Sequence, residues 1–186
     1  MMEIAGDEKE SLDATHLHKN TLMPRLVYSV ELLETILMQL DKKRTHIGSK
    51  NLALYGKIDD TDFIKLVELE CEVYLAIESL KQIQRRICTI KGISAITTNL
   101  ASAISVIRIT NARLYRYFPE YYSDFCELSS VLGSIVMDSA TITEAKFDFG
   151  QSNKESQTIL DEAKLIADSK INKQYPNLDF AKPEIA

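Results

Sequence analysis

The sequence predicts an all-α chain: a long antiparallel helical hairpin followed by three shorter helices. Three observations carry that prediction. Apolar residues recur at alternating four- and three-residue steps in two stretches. The first holds Leu26, Val30, Leu33, Leu37, Leu40 and Ile47, with Arg44 breaking one position. The second holds Leu66, Leu69, Val73, Ala76, Leu80, Ile83, Ile87 and Ile90 without a gap. That alternation places a narrow apolar seam on each helix, the pattern of a coiled coil rather than of a broad globular face. Helix breakers are scarce, with six Gly and four Pro in 186 residues, and the prolines stand at plausible helix boundaries.

The elements follow in order. Residues 1–20 carry Glu3, Asp7, Glu8, Glu10 and Asp13 without apolar periodicity, so a disordered acidic N-terminal tail is expected. It lacks the basic start and apolar middle of a signal peptide. Pro24 suits the first turn of a helix beginning near Leu22. Gly56, then Asp59, Asp60 and Thr61, supply a helix end and the next N-cap, which closes the hairpin. Each arm runs ~30 residues, about 45 Å. Gly92 weakens a continuation of the second arm. Ile93, Ile96, Leu100, Ala103 with Ile104, Ile107, Leu114 and Tyr117 form a third stripe, ended at Phe118 by Pro119. A fourth helix, about residues 121–138, puts Phe125, Leu128, Val131 with Leu132, Ile135 and Val136 on one face. The helical core is thus expected over residues 21–140. A polar linker (141–153), a C-terminal helix (154–176) and a flexible tail (177–186) complete the chain. No run of ~20 apolar residues is found, and a cytoplasmic chain is expected.

Charge is distributed unevenly around a net of −5. Residues 79–119 contain no Asp or Glu, while Lys81, Arg85, Arg86, Lys91, Arg108, Arg113 and Arg116 all lie there. The first arm adds Arg25, Lys42, Lys43, Arg44 and Lys50. Between Glu120 and Asp168, ten acids face only Lys146, Lys154 and Lys164. A basic hairpin suits an anionic membrane surface, at about 1 kcal/mol per well-placed Lys or Arg. The acidic half is expected to cover that surface in the free chain, or to meet it on the next subunit.

Other function classes find little support. The sequence carries no phosphate-cradling Gly loop, nucleophile elbow or zinc-protease motif, so no enzyme, cofactor or metal is expected. His16, His18 and His46 lack ligand spacing. Cys71, Cys88 and Cys126 are read as buried or partly buried free thiols. No nucleic-acid motif accompanies the basic run. The acid pairs Glu68/Glu72 and Glu70/Glu78 are read as exposed helix surface.

Two segments carry a family resemblance. Phe118-Pro119-Glu120 together with Glu127-Leu128-Ser129-Ser130-Val131-Leu132-Gly133-Ser134-Ile135-Val136-Met137-Asp138-Ser139-Ala140 is similar to the Pro-Glu joint and following helix of archaeal CdvB-type cell-division proteins. Ile159-Leu160-Asp161-Glu162-Ala163, followed by Tyr175-Pro176-Asn177-Leu178, is similar to their last helix and its aromatic-Pro end. The chain therefore resembles the ESCRT-III membrane-remodelling family over about residues 25–178. The resemblance implies a subunit that polymerises with itself or with paralogues at the cytoplasmic membrane and constricts it. It implies later helices that rearrange on activation and an AAA ATPase, reached directly or through paralogues. The stretch Asp161-x-x-Lys164-Leu165-x-x-Asp168 matches the family's ATPase-recruiting motif incompletely, which favours a core-only paralogue. The expected membrane-binding residues are Arg25, Lys42, Lys43, Arg44, Lys50, Lys81, Arg85, Arg86 and Lys91. The expected cover or assembly contact is Ile159, Leu160, Asp161, Glu162, Ala163 and Ile166. The alternative is a soluble helical adaptor that binds partner helices without membrane contact.

Overall fold

The computed structural model describes residues 5–144 and 149–178, and among these residues every regular element is helical. The order is α1 (Ala5–Leu54), α2 (Asp60–Cys88), α3 (Ile93–Tyr115), a 3-10 turn (Pro119–Tyr121), α4 (Tyr122–Thr143) and α5 (Phe149–Gln174). Helix α1 starts well before the expected boundary, because its backbone is helical from Ala5 and Pro24 lies inside it. Ala5, Glu8, Lys9, Glu10, Leu12 and Ala14 are strong helix formers, and acids near a helix start complement its dipole. Pro24 removes a single backbone hydrogen bond there. Residues 1–4 of the expected tail, 145–148 of the expected linker and 179–186 of the C-terminal tail lie outside the described residues.

From Leu22 to Leu40 the buried positions of α1 are Leu22, Leu26, Ser29, Leu33, Ile36 and Leu40, at alternating four- and three-residue steps, and Gly48 and Asn51 are buried further along. The seam is therefore rotated by one residue from the sequence reading at two points. Ser29 and Ile36 lie at its centre, whereas Val30 and Leu37 flank it half-buried. Two neighbours cause this, since α1 packs against both α2 and α4 and its most buried line falls between them. Gly56 ends the helix region at φ +73°, a conformation that costs an L side chain energy. Asp59 then caps α2, its side chain accepting from the Thr61 N–H at 3.2 Å.

Helix α2 departs most from the expected narrow seam. Residues 73–80 are buried without interruption, polar ones included, and α2 packs against α1, α3 and α5. Over that stretch the helix is covered on three sides and shows no solvent face to sequence periodicity. Its contacts with α1 join Asn51 to Leu66 and Glu70, Arg44 to Tyr74, and Glu34 to Gln84. As the α1 number falls, the α2 number rises.

Helix α2 stops at Cys88, and Gly92 in extended geometry precedes α3. Helix α3 buries Ile96, Leu100, Ala103, Val106, Ile107 and Leu114, while Tyr117, expected on that stripe, is exposed. The joint falls at Phe118, where the following proline disfavours helical geometry and the backbone is non-helical at φ −137° and ψ 70°. Helix α4 buries Phe125, Leu128, Leu132, Ile135 and Val136 between α1 and α3, and continues five residues beyond the expected end to Thr143. By length and composition Pro119–Thr143 could cross a membrane, unlike anything read from the sequence. Its fully buried apolar side chains lie in the bundle core, as those of a core helix do. Helix α5 begins at Phe149, earlier than expected, and lays Ile159, Ala163, Ala167 and Ile171 on α2 and α3. The small Ala163 and Ala167 permit close approach, and a second apolar cluster forms there with Phe63, Val67, Tyr175 and Leu178.

Candidate interaction surface

The basic residues of α1 are distributed between solvent and α4. Arg25 Nη2 lies 2.6 Å from Asp138 Oδ2, and its Nη1 donates to Ser134 Oγ at 3.0 Å. Lys43 Nζ lies 3.0 Å from Glu120 and 4.9 Å from the centre of the Phe118 ring. The Glu120 carboxyl is held below its ordinary range first by its own backbone N–H and then by Lys43. Tyr28 donates to Glu127, and this hydrogen bond raises the phenol's pKa. The segment Gly133-Ser134-Ile135-Val136-Met137-Asp138 thus has divided roles. Ser134 and Asp138 receive Arg25, Ile135 and Val136 enter the core, and Met137 is exposed.

Of the remaining expected membrane residues, Arg44 pairs with Asp41 at 3.0 Å and Lys81 with Glu78 at 3.5 Å. Lys42, Lys50, Arg85 and Lys91 are exposed and Arg86 is half-buried. Apart from Asp41, which receives Arg44 within α1, the acids that receive the α1 cations belong to α4 and its preceding turn rather than to α5. In the expected α5 contact set, Ile159 and Ala163 are buried and Leu160 is half-buried. Asp161, Glu162 and Ile166 face solvent, with Asp161 accepting from Gln157 of its own helix at 2.7 Å.

Glu70 and Glu78, read from sequence as exposed surface, are buried at 0% and 4% exposure. Each survives burial because polar groups from another helix reach it. Glu70 Oε2 accepts from Asn51 Nδ2 at 2.8 Å and from the Tyr175 hydroxyl at 2.7 Å. Its Oε1 has no hydrogen-bond partner among the described residues. A Cβ at Gly48 would lie 3.0 Å from that oxygen, so the glycine admits the close approach of α1. Tyr175 is fully buried, with ring centres 5.4 Å from Tyr55 and 5.3 Å from Phe63. Burial and then the bond to Glu70 raise its phenol well above the ordinary value.

The thiols divide as well. Cys71 is half-buried and lies 3.6 Å from Asp168, and burial, then that acid, pushes it up to about 12. Cys88 and Cys126 are exposed, contrary to the expected partial burial, because they fall at the end of α2 and on the outer face of α4.

An open cleft of about 570 Å³ lies where α1, α2 and α5 meet. Asp41 and Arg44 come from α1, Tyr74, Ile77 and Lys81 from α2, and Lys170, Lys173 and Gln174 from α5. Helical spacing explains the convergence. Tyr74, Ile77 and Lys81 form one stripe at steps of three and four, while Lys173 and Gln174 lie three and four residues beyond Lys170 on one face of α5. Tyr74 is the floor. Its ring centre is 5.3 Å from the Arg44 guanidinium carbon and 5.5 Å from Lys170 Nζ. Its hydroxyl accepts from Arg44 at 3.3 Å and donates to Gln174 Oε1 at 3.4 Å. Lys81 and Lys170 both reach Glu78 Oε1. Sequence reasoning singled out Arg44 and Lys81 but missed Tyr74, Lys170, Lys173 and Gln174; the helical spacings on α2 and α5 were the available signal. No family model matches the chain, and no solved structure matches it.

Proposed function

We propose that the chain is an ESCRT-III-like polymer subunit that assembles on anionic membrane and remodels or constricts it in archaeal cell division. In this reading α1 and α2 are the two arms of an antiparallel hairpin. The observation that carries the reading is their inverse pairing, from Glu34 with Gln84 to Asn51 with Glu70. Helices α4 and α5 are the elements that move. Helix α4 and its preceding turn meet α1 partly through rim ion pairs, and exposed pairs contribute only about 0.2–1 kcal/mol each. Release of α4 with its preceding turn would take Asp138 from Arg25 and Glu120 from Lys43, and release of α5 would expose the Ala163, Ala167 and Ile171 contact for a neighbouring subunit. Paralogues, and through them an AAA ATPase, are the proposed partners.

Liposome pelleting tests this. Lys42, Arg85 and Arg86 form no ion pair among the described residues, so reversing them to Glu should abolish pelleting with anionic vesicles while helicity persists. Lys43 and Arg44 are poorer probes, since reversal would also disturb Glu120 and Tyr74. Attachment must weaken with salt, because the screening length is about 8 Å at physiological ionic strength. Binding indifferent to both salt and charge reversal would contradict a basic membrane face.

A further inference from the structure

We infer that the cleft between α1, α2 and α5 is a binding site for a compact polyanion carrying two or more phosphate groups. Three features converge on it. The first is charge: Arg44, Lys81, Lys170 and Lys173 line one concavity in a chain whose net charge is −5. Asp41 and the buried Glu78 offset two of the four cations, which leaves an excess of two positive charges for a ligand. The second is preorganisation. Arg44 and Lys170 are held over the Tyr74 ring, and Lys81 and Lys170 are held beside one Glu78 oxygen. These contacts fix Arg44, Lys81 and Lys170 before a ligand arrives, which lowers the entropy lost on binding. The third is shape. A cleft of about 570 Å³ is the size of a small-molecule site, and it is too small for a nucleic-acid duplex.

The guanidinium and ammonium groups are the donors that recognise phosphate oxygens, Arg44 through its planar fork and the lysines as point charges. Because the donors come from three helices, a bound polyanion would join the end of α5 to α1 and α2. Gln174 reinforces that link, since it touches Tyr74 in the cleft and Tyr175 in the buried cluster. The site therefore favours the form in which α5 is docked. This inference does not require that the chain polymerises.

The test uses full-length protein and titration calorimetry with pyrophosphate and with inositol hexakisphosphate as probes. The double variant Lys81→Gln, Lys173→Gln should bind at least about tenfold more weakly, while Lys154→Gln, outside the cleft, should bind as the parent does. Hydrogen exchange in residues 166–174 should slow when the probe is present. Vesicles bearing a phosphatidylinositol bisphosphate distinguish the sources of the phosphate. Pelleting that inositol hexakisphosphate reverses and the double variant lacks assigns the site to a lipid headgroup. Binding of the free probes without pelleting assigns it to a soluble metabolite. No binding of either probe at about 1 mM, equal weakening by Lys154→Gln, or binding of an acidic peptide in place of both probes would overturn the inference.

Discussion

Removing Tyr175 should undock the end of α5 before it unfolds the bundle. The side chain is fully buried, packs against Tyr55 and Phe63, and donates to Glu70 at 2.7 Å. Tyr175→Phe keeps the ring and loses the hydrogen bond, at a cost of about 1.5–3 kcal/mol for a bond to a carboxylate. Tyr175→Ala also loses the ring and leaves a cavity, bringing the cost to roughly 5–8 kcal/mol. Whole domains are stable by only about 5–15 kcal/mol, so a local release is the cheaper response. Hydrogen exchange followed by mass spectrometry should show protection lost over residues 163–178 in the alanine variant. Protection should persist over residues 22–40 and 128–136, whose buried side chains belong to the other cluster. The pH dependence has a defined sign. The folded chain holds the Tyr175 proton more tightly than the unfolded chain. Its contribution is therefore complete below about pH 10 and is lost as pH rises through the higher folded value. Equal denaturation midpoints for the parent, phenylalanine and alanine proteins would refute the reasoning.

Three further outcomes are expected. Leu80→Ala should cost about 2–5 kcal/mol and Leu37→Ala clearly less, because Leu80 is fully buried and Leu37 only flanks the seam; urea midpoints measure both. Iodoacetamide at pH 8 should alkylate Cys88 and Cys126 well before Cys71, whose thiol is pushed up to about 12; equal rates would contradict its burial beside Asp168. Lys43→Ala should raise the Glu120 carboxyl only part of the way toward its ordinary value in an NMR titration, because the residue's own backbone N–H remains. Since the folded value is lowered, what stability this pair adds is present above the unfolded carboxyl range and fades as pH falls through the folded value.

The helices were legible wherever one face meets the core and the other meets solvent. Helix α4 is the clearest case, since Phe125, Leu128, Leu132, Ile135 and Val136 are both its apolar stripe and its buried side. Helix α2 was legible as a helix but not as the bundle's covered centre. Glu70, Glu78, Ser79 and Gln82 fall outside its apolar seam, and all four are buried. The groups that satisfy the two acids are remote in sequence: Asn51 and Tyr175 for Glu70, Lys170 for Glu78. Periodicity reports faces of one helix and carries no information about such partners. The cleft escaped for the same reason. Lys170 and Lys173 follow an acid-rich stretch, and they join Arg44 and Lys81 only once α5 lies along α2.

The proposed membrane polymer is tested most directly by negative-stain electron microscopy of the full-length protein with anionic vesicles, with neutral vesicles and without lipid. The account predicts filaments or coats on the anionic vesicles, enhanced when the chain is ended near Gly150 and the α5 cover is lost. Bare vesicles in every condition, with the chain monomeric both alone and together with filament-forming paralogues, would contradict it and favour a soluble helical adaptor.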